Sequence, residues 1–120
     1  MVEIELDAFS GRPNPRWSLS AHQSAEYLAQ LRGLQRISQV PAGFEGLGYR
    51  GFVVRPERHT ELDAGLEEAR HCHGAVVVRR GEQSEVLSDP GRGLERWLAE
   101  SMRGHVDESL FRYIAEEIER

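Results

Sequence analysis

The chain has 120 residues, of which 15 are basic and 20 acidic, giving a formal net charge of -5, with 39% apolar and 29% charged residues. This length suits one domain over residues 1–120, able to bury roughly two thirds of the surface of its unfolded chain. Basic residues are spread without forming a run, so neither nucleic acid nor an anionic membrane is an expected partner, and no segment reaches the roughly 18 apolar residues of a membrane span.

All 15 basic residues are arginine. Without lysine there is no Schiff-base nucleophile, no pyridoxal-phosphate anchor and no P-loop ammonium. A single cysteine, Cys72, rules out an intrachain disulfide framework. The opening MVEIELDAF carries acidic groups where a signal peptide carries basic ones, so the cytoplasm is the expected compartment.

In chain order, Val2, Ile4, Leu6 and Ala8 alternate with Glu3, Glu5 and Asp7, the period of a half-buried strand. A loop, SGRPNP, leads to RWSLS, whose alternation through Trp17 and Leu19 completes a hairpin. Ser20 and Gln23 have the spacing of a capping box and open a helix with Tyr27, Leu28 and Leu31 inward, ending near Gly33. Residues 35–47 read as loop, and GYRGFVVR as a buried strand stopped at Pro56. ELDAGLEEAR, with Thr60 as cap and Leu62, Leu66 and Ala69 at helical spacing, predicts a helix interrupted by Gly65.

GAVVVRR and SEVLS, joined through Gly81 and Glu82, form a second hairpin. Asp89 caps the following helix, with Pro90 at its first position and Leu94, Trp97, Leu98 and Met102 in its core stripe. Gly104 stops it, and Asp107 starts a last helix with Leu110, Phe111, Ile114 and Ile118 inward. The expected fold is therefore α+β: an antiparallel sheet of about five strands, from two hairpins plus one strand, helices on one face and two of them C-terminal.

Residues 46–51 spell G-x-G-x-x-G, yet a loop precedes them and a strand pattern follows. A dinucleotide site needs a strand before the glycines and a helix after them, so nucleotide binding is not expected. GRPNPRW, residues 11–17, is the most unusual segment. Pro13 and Pro15 fix their own φ and hold Arg12 and Asn14 extended. In an extended run Arg12, Asn14 and Arg16 lean to one side, and two guanidinium forks beside a carboxamide suit a carboxylate or phosphate. Arg12, Asn14, Arg16 and Trp17 are the candidate ligand-binding residues. The plain alternative is a rigid hairpin loop in which Trp17 packs in the core, Asn14 bonds the backbone and the arginines are solvated.

The second cluster is His71-Cys72-His73. On a strand both imidazoles project from one face, where they could share a zinc or copper ion, with His59, His105 or a carboxylate as third ligand. The candidate metal set is His71, His73 and His59, although no complete zinc signature is present and no cofactor is otherwise expected. The alternative is two polar residues at a strand entrance, with Cys72 a small buried hydrophobe. Adjacent strand residues point to opposite faces, which argues against a Cys72 thiolate activated by either histidine. No G-x-S-x-G elbow is present, and Glu3 with Glu5 reads as a solvated strand face.

The favoured function is a small ligand- or partner-binding domain, or accessory protein, that holds an anionic molecule or peptide carboxylate at residues 11–17. A small metal-dependent enzyme using His71 and His73 is the alternative. A homo-oligomer is compatible with either.

Overall fold

The computed structural model describes residues 1–8, 13–39, 48–58 and 65–119. Seven strands and three helices follow one another as β1 (Val2–Leu6), β2 (Arg16–Ser18), α1 (Ala21–Arg32), β3 (Arg36–Ile37), β4 (Phe52–Pro56), β5 (Glu68–Cys72), β6 (Ala75–Arg80), β7 (Gln83–Ser88), α2 (Gly93–Ser101) and α3 (Glu108–Glu119). The strands form one antiparallel sheet in the order β2-β1-β4-β5-β6-β7-β3. The expected α+β class, the two hairpins and the two C-terminal helices are all present.

Alternation sets the two faces. Val2, Ile4 and Leu6 on β1, Phe52 and Val54 on β4, Ala69 on β5, Val76 and Val78 on β6 and Leu87 on β7 point to one side, where all are buried. There they meet Tyr27, Leu28 and Leu31 of α1, Leu94 and Leu98 of α2, and Ile114 and Ile118 of α3. Each buried Val, Leu, Ile or Phe side chain contributes about 1.5–3 kcal/mol, so this single layer is the main source of stability. The opposite face carries Glu3, Glu5, Arg55, Glu68 and Arg70, with a smaller apolar patch of Cys72, Ala75, Val77 and Val86.

Both halves of the capping box are formed. The Gln23 N–H donates to the Ser20 hydroxyl at 3.1 Å, and the Ser20 N–H donates to the Gln23 side-chain Oε1 at 3.1 Å. Asp89 caps as expected, but further along the chain. A 3-10 turn over Pro90–Arg92 intervenes, and the Asp89 carboxylate accepts the N–H groups of Leu94 at 2.9 Å and Glu95 at 3.0 Å. Asp107 accepts the Leu110 N–H at 2.8 Å and opens α3.

Two expectations fail. Residues 68–70, expected as helix, belong to β5; residues 60–64, the cap and front of that stretch, lie outside the described residues. Gly65 has φ +78°, outside helical space, and Ala69 with His71 satisfies a period of two as well as Leu66 with Ala69 satisfies a helix. The sheet also gains β3, which at two residues is too short to show any period.

Candidate functional site

The residue-11–17 segment is anchored at β2. Gly11 and Arg12 lie outside the described residues. Trp17 stands opposite Ile4, is buried, donates its indole N–H to the Ser101 hydroxyl at 3.0 Å, and meets Phe52 edge to face. Its other neighbour is His105, stacked at 6.0 Å between ring centroids. The Asn14 carboxamide bridges two parts of the chain, donating to the Glu5 carboxylate at 2.9 Å and accepting the Ala8 N–H at 3.3 Å. Arg16, opposite Glu5, lies 3.3 Å from that carboxylate and 3.9 Å from Glu3, with 60% of its side chain exposed. Trp17 and Asn14 thus spend their chemistry on the fold, while Arg16 keeps most of its surface in water.

Glu5 and Asp7 organise the helix-free face beside this edge. Glu5 also accepts Arg55 at 3.0 Å, and Arg55 reaches Glu68 at 3.1 Å. Asp7 takes Arg50 at 2.7 Å on one oxygen and Arg70 at 2.8 Å on the other. Burial pushes both carboxyls up. It is outweighed by hydrogen bonds from Asn14 and Arg55 to Glu5, and from Arg50 and Arg70 to Asp7, together with the arginine charges, which hold both below the ordinary carboxylate value.

His71 and His73 are separated by the turn between β5 and β6. His71 faces the helices, fully buried, with its Nε2 2.6 Å from the Tyr27 hydroxyl. Burial lowers its pKa to about 3, so the imidazole is neutral at physiological pH, and its Nδ1 has no hydrogen-bond partner among the described residues. His73 lies beyond the strand in the two-residue turn with Gly74, both at positive φ, and is exposed. The shared-face argument therefore does not apply to His73, because it holds only within a strand. His59 lies outside the described residues. Among the described residues no group of three or more His, Cys, Asp or Glu side chains is arranged to hold a metal ion.

Cys72 is buried, and burial pushes its thiol up to about 12, keeping it protonated at neutral pH. It faces Gly51, where a Cβ would fall 1.8 Å from the His71 carbonyl oxygen. With φ +94°, Gly51 serves close approach of β4 to β5. In the part of the G-x-G-x-x-G run that is described, a strand follows the glycines and no helix N-terminus is available for a phosphate.

At the start of α2 the buried Glu95 accepts Arg92 through both oxygens, at 3.0 and 2.8 Å, and the Tyr49 hydroxyl at 2.5 Å. Arg92 sits in left-handed space at φ +56°, and this clamp holds it there. The carboxylate is fully satisfied by the protein itself.

The sheet edge at β7 is different. A cleft of about 650 Å³ opens there, lined among others by Arg36, Ile37, Arg80, Ser84, Glu85 and Val86. Arg36 donates its Nε–H to one oxygen of Glu85 at 2.6 Å, and Arg80 donates Nη1–H to the other at 2.9 Å. Two guanidinium charges against one carboxylate leave one net positive charge in the cleft. Arg36 is 79% exposed, and five N–H donors per guanidinium leave unused capacity on both sides of Glu85. The sequence reading missed this cluster because Arg36 and Glu85 are 49 residues apart and no local spacing connects them.

Comparison with known protein families, curated proteins and solved structures finds no match. Among the described residues no helix is long and apolar enough to cross a membrane.

Proposed function

We propose that this protein is a small ligand- or partner-binding domain that holds the carboxylate of an anionic ligand in the cleft between β3 and the outer end of β7. One observation carries the reading. Arg36 and Arg80 converge on the single carboxylate of Glu85 in an open cleft, which leaves excess positive charge and spare donors. A guanidinium fork matches two carboxylate oxygens at once, and pairing two forks with one internal acid leaves room for a second, external one. Glu85 holds the forks in place before the ligand arrives, which lowers the ordering cost of binding.

Calorimetric titration with glutarate tests the assignment. The intact protein is expected to bind. Arg36→Ala with Arg80→Ala is expected to weaken binding by about tenfold or more while the fold is kept. Undiminished binding by the double variant overturns the assignment. A second reading, an anion at Arg16, is favoured by the 60% exposure of that side chain. Loss of glutarate binding in Arg16→Ala, with the Arg36 and Arg80 variant unaffected, would select it.

A further inference from the structure

We infer that the cleft receives an acidic peptide in extended conformation, which pairs as an added strand with the outer edge of β7 at Ser84, unpaired among the described residues. This rests on the reading of the cleft as a carboxylate site and adds the class of ligand.

The backbone of β7 supplies the first part of the case. The Ser88 N–H donates to the Gln35 carbonyl at 2.8 Å, so it points away from β6 and toward β3. N–H direction alternates along an antiparallel strand, which gives Val86 and Ser84 the same outward direction. The pairing of β3 stops at Ile37 opposite Val86. Ser84 pairs with Arg79 on its inner side, and among the described residues no strand pairs with its outer side. Its outward N–H and C=O therefore face the cleft, in line with the end of β3. Ser38 follows Ile37 directly and leaves no room opposite Glu85, so Gln83 and Ser84 form the open stretch, about 7 Å long, enough for one short incoming segment. Pairing with exposed edge groups is the general route by which a sheet takes up an extended peptide.

Side-chain chemistry supplies the second part. Glu85, Arg80 and Arg36 lie on the same face of the sheet, set by the registers Val78 with Glu85, Arg80 with Gln83 and Arg36 with Leu87. An incoming residue opposite Gln83 places its side chain on that face, beside Arg80 and Glu85. With one net positive charge there, an aspartate or glutamate at that position is favoured and a lysine opposed. The whole chain is acidic, but screening over about 8 Å at physiological salt lets the local charge decide. The same charge argues against a second copy of this chain as the occupant, because a two-fold pairing of these edges would bring Arg36 and Arg80 of both copies together.

The test is a titration of the labelled chain with a blocked pentapeptide of alternating valine and glutamate, followed by amide shifts and hydrogen exchange. Three further probes are the valine–lysine counterpart, the acidic peptide with N-methylated backbone, and free glutarate. The acidic peptide is expected to bind, to shift and protect the Ser84 amide, and to lose about tenfold or more in affinity on N-methylation or on exchange of glutamate for lysine. Ser84→Pro, which removes the outward N–H, and Arg36→Glu, at an exposed position, are each expected to weaken it comparably. Glutarate binding at Arg36 and Arg80 without tighter binding of the peptide overturns the strand pairing and leaves the carboxylate site standing. No response to glutarate or peptide overturns both. Equal binding of the lysine peptide overturns the acidic preference, and self-association that excludes the peptide overturns the peptide in favour of a second copy.

Discussion

The two edge strands of the sheet are nearly the same length, β2 with three residues and β3 with two, yet they are held in opposite ways. On β2 the central side chain, Trp17, inserts between Phe52 and the helices, and the neighbouring Asn14 ties the loop to Glu5 and to the backbone at Ala8. On β3 both side chains are exposed, Ile37 at 39%, and Arg36 is held by its bond to Glu85. A short edge strand becomes part of the core when one large side chain reaches inward. Without such an anchor its partner strand keeps an open flank. Asn14 and Trp17 thus clasp the β2 edge to the rest of the fold, and the edge that looks unremarkable in sequence carries the converging guanidinium charge.

That contrast can be broken by mutation. Trp17→Ala removes a buried indole and its hydrogen bond, and is expected to cost about 3–5 kcal/mol in urea unfolding. Ile37→Ala on the other edge is expected to cost less than about 1 kcal/mol. Similar costs for the two would erase the distinction.

Acid acts on the middle of the sheet rather than on either edge. His71 has a folded pKa of about 3 against 6.5 unfolded, so between these values the unfolded state binds more protons. Its contribution is complete above pH 6.5 and is lost as the pH falls toward 3, at about 1.4 kcal/mol per unit, or about 3 kcal/mol by pH 4. Unfolding free energies between pH 6.5 and 5 should show this slope, and His71→Leu should flatten it. Below the ordinary carboxylate range the lowered values of Glu5 and Asp7 add to the loss, since their contribution is present above that range and vanishes as they protonate. This second phase belongs to the β2 side of the sheet.

Smaller effects sharpen the comparison. Asn14→Ala strips Glu5 of one hydrogen bond and Ala8 of another, with an expected cost of about 1–2 kcal/mol and an upward shift of the Glu5 pKa. Arg16→Ala breaks only an exposed pairing and should cost under about 1 kcal/mol, whether measured by urea or by heat.

Much of this fold is written in local pattern. The Val2–Leu6 alternation, the Ser20–Gln23 box, the β6–β7 hairpin and the Asp107 cap all rest on residues within a few positions of one another. Misreadings occur where one pattern serves two periods, as at Leu66, Ala69 and His71, or where an element is too short for any, as at Arg36–Ile37. The His71–His73 pair fails as a shared face because the strand stops at Cys72 and His73 turns with Gly74 at positive φ. The partner of Asn14, Glu5, sits on the neighbouring strand, and a proline-stiffened loop looks the same in sequence whether its polar groups face inward or outward. The Arg36–Glu85–Arg80 cluster depends on β3 meeting β7 across 49 residues, which no spacing within the sequence encodes.

The most direct measurement is a map of backbone amide shifts across the whole chain during a glutarate titration. Shifts concentrated on residues 36–38, 80 and 83–86, with the amides of 14–18 unmoved, are the expected result. Shifts concentrated on 14–18, with β3 and β7 silent, contradict the account.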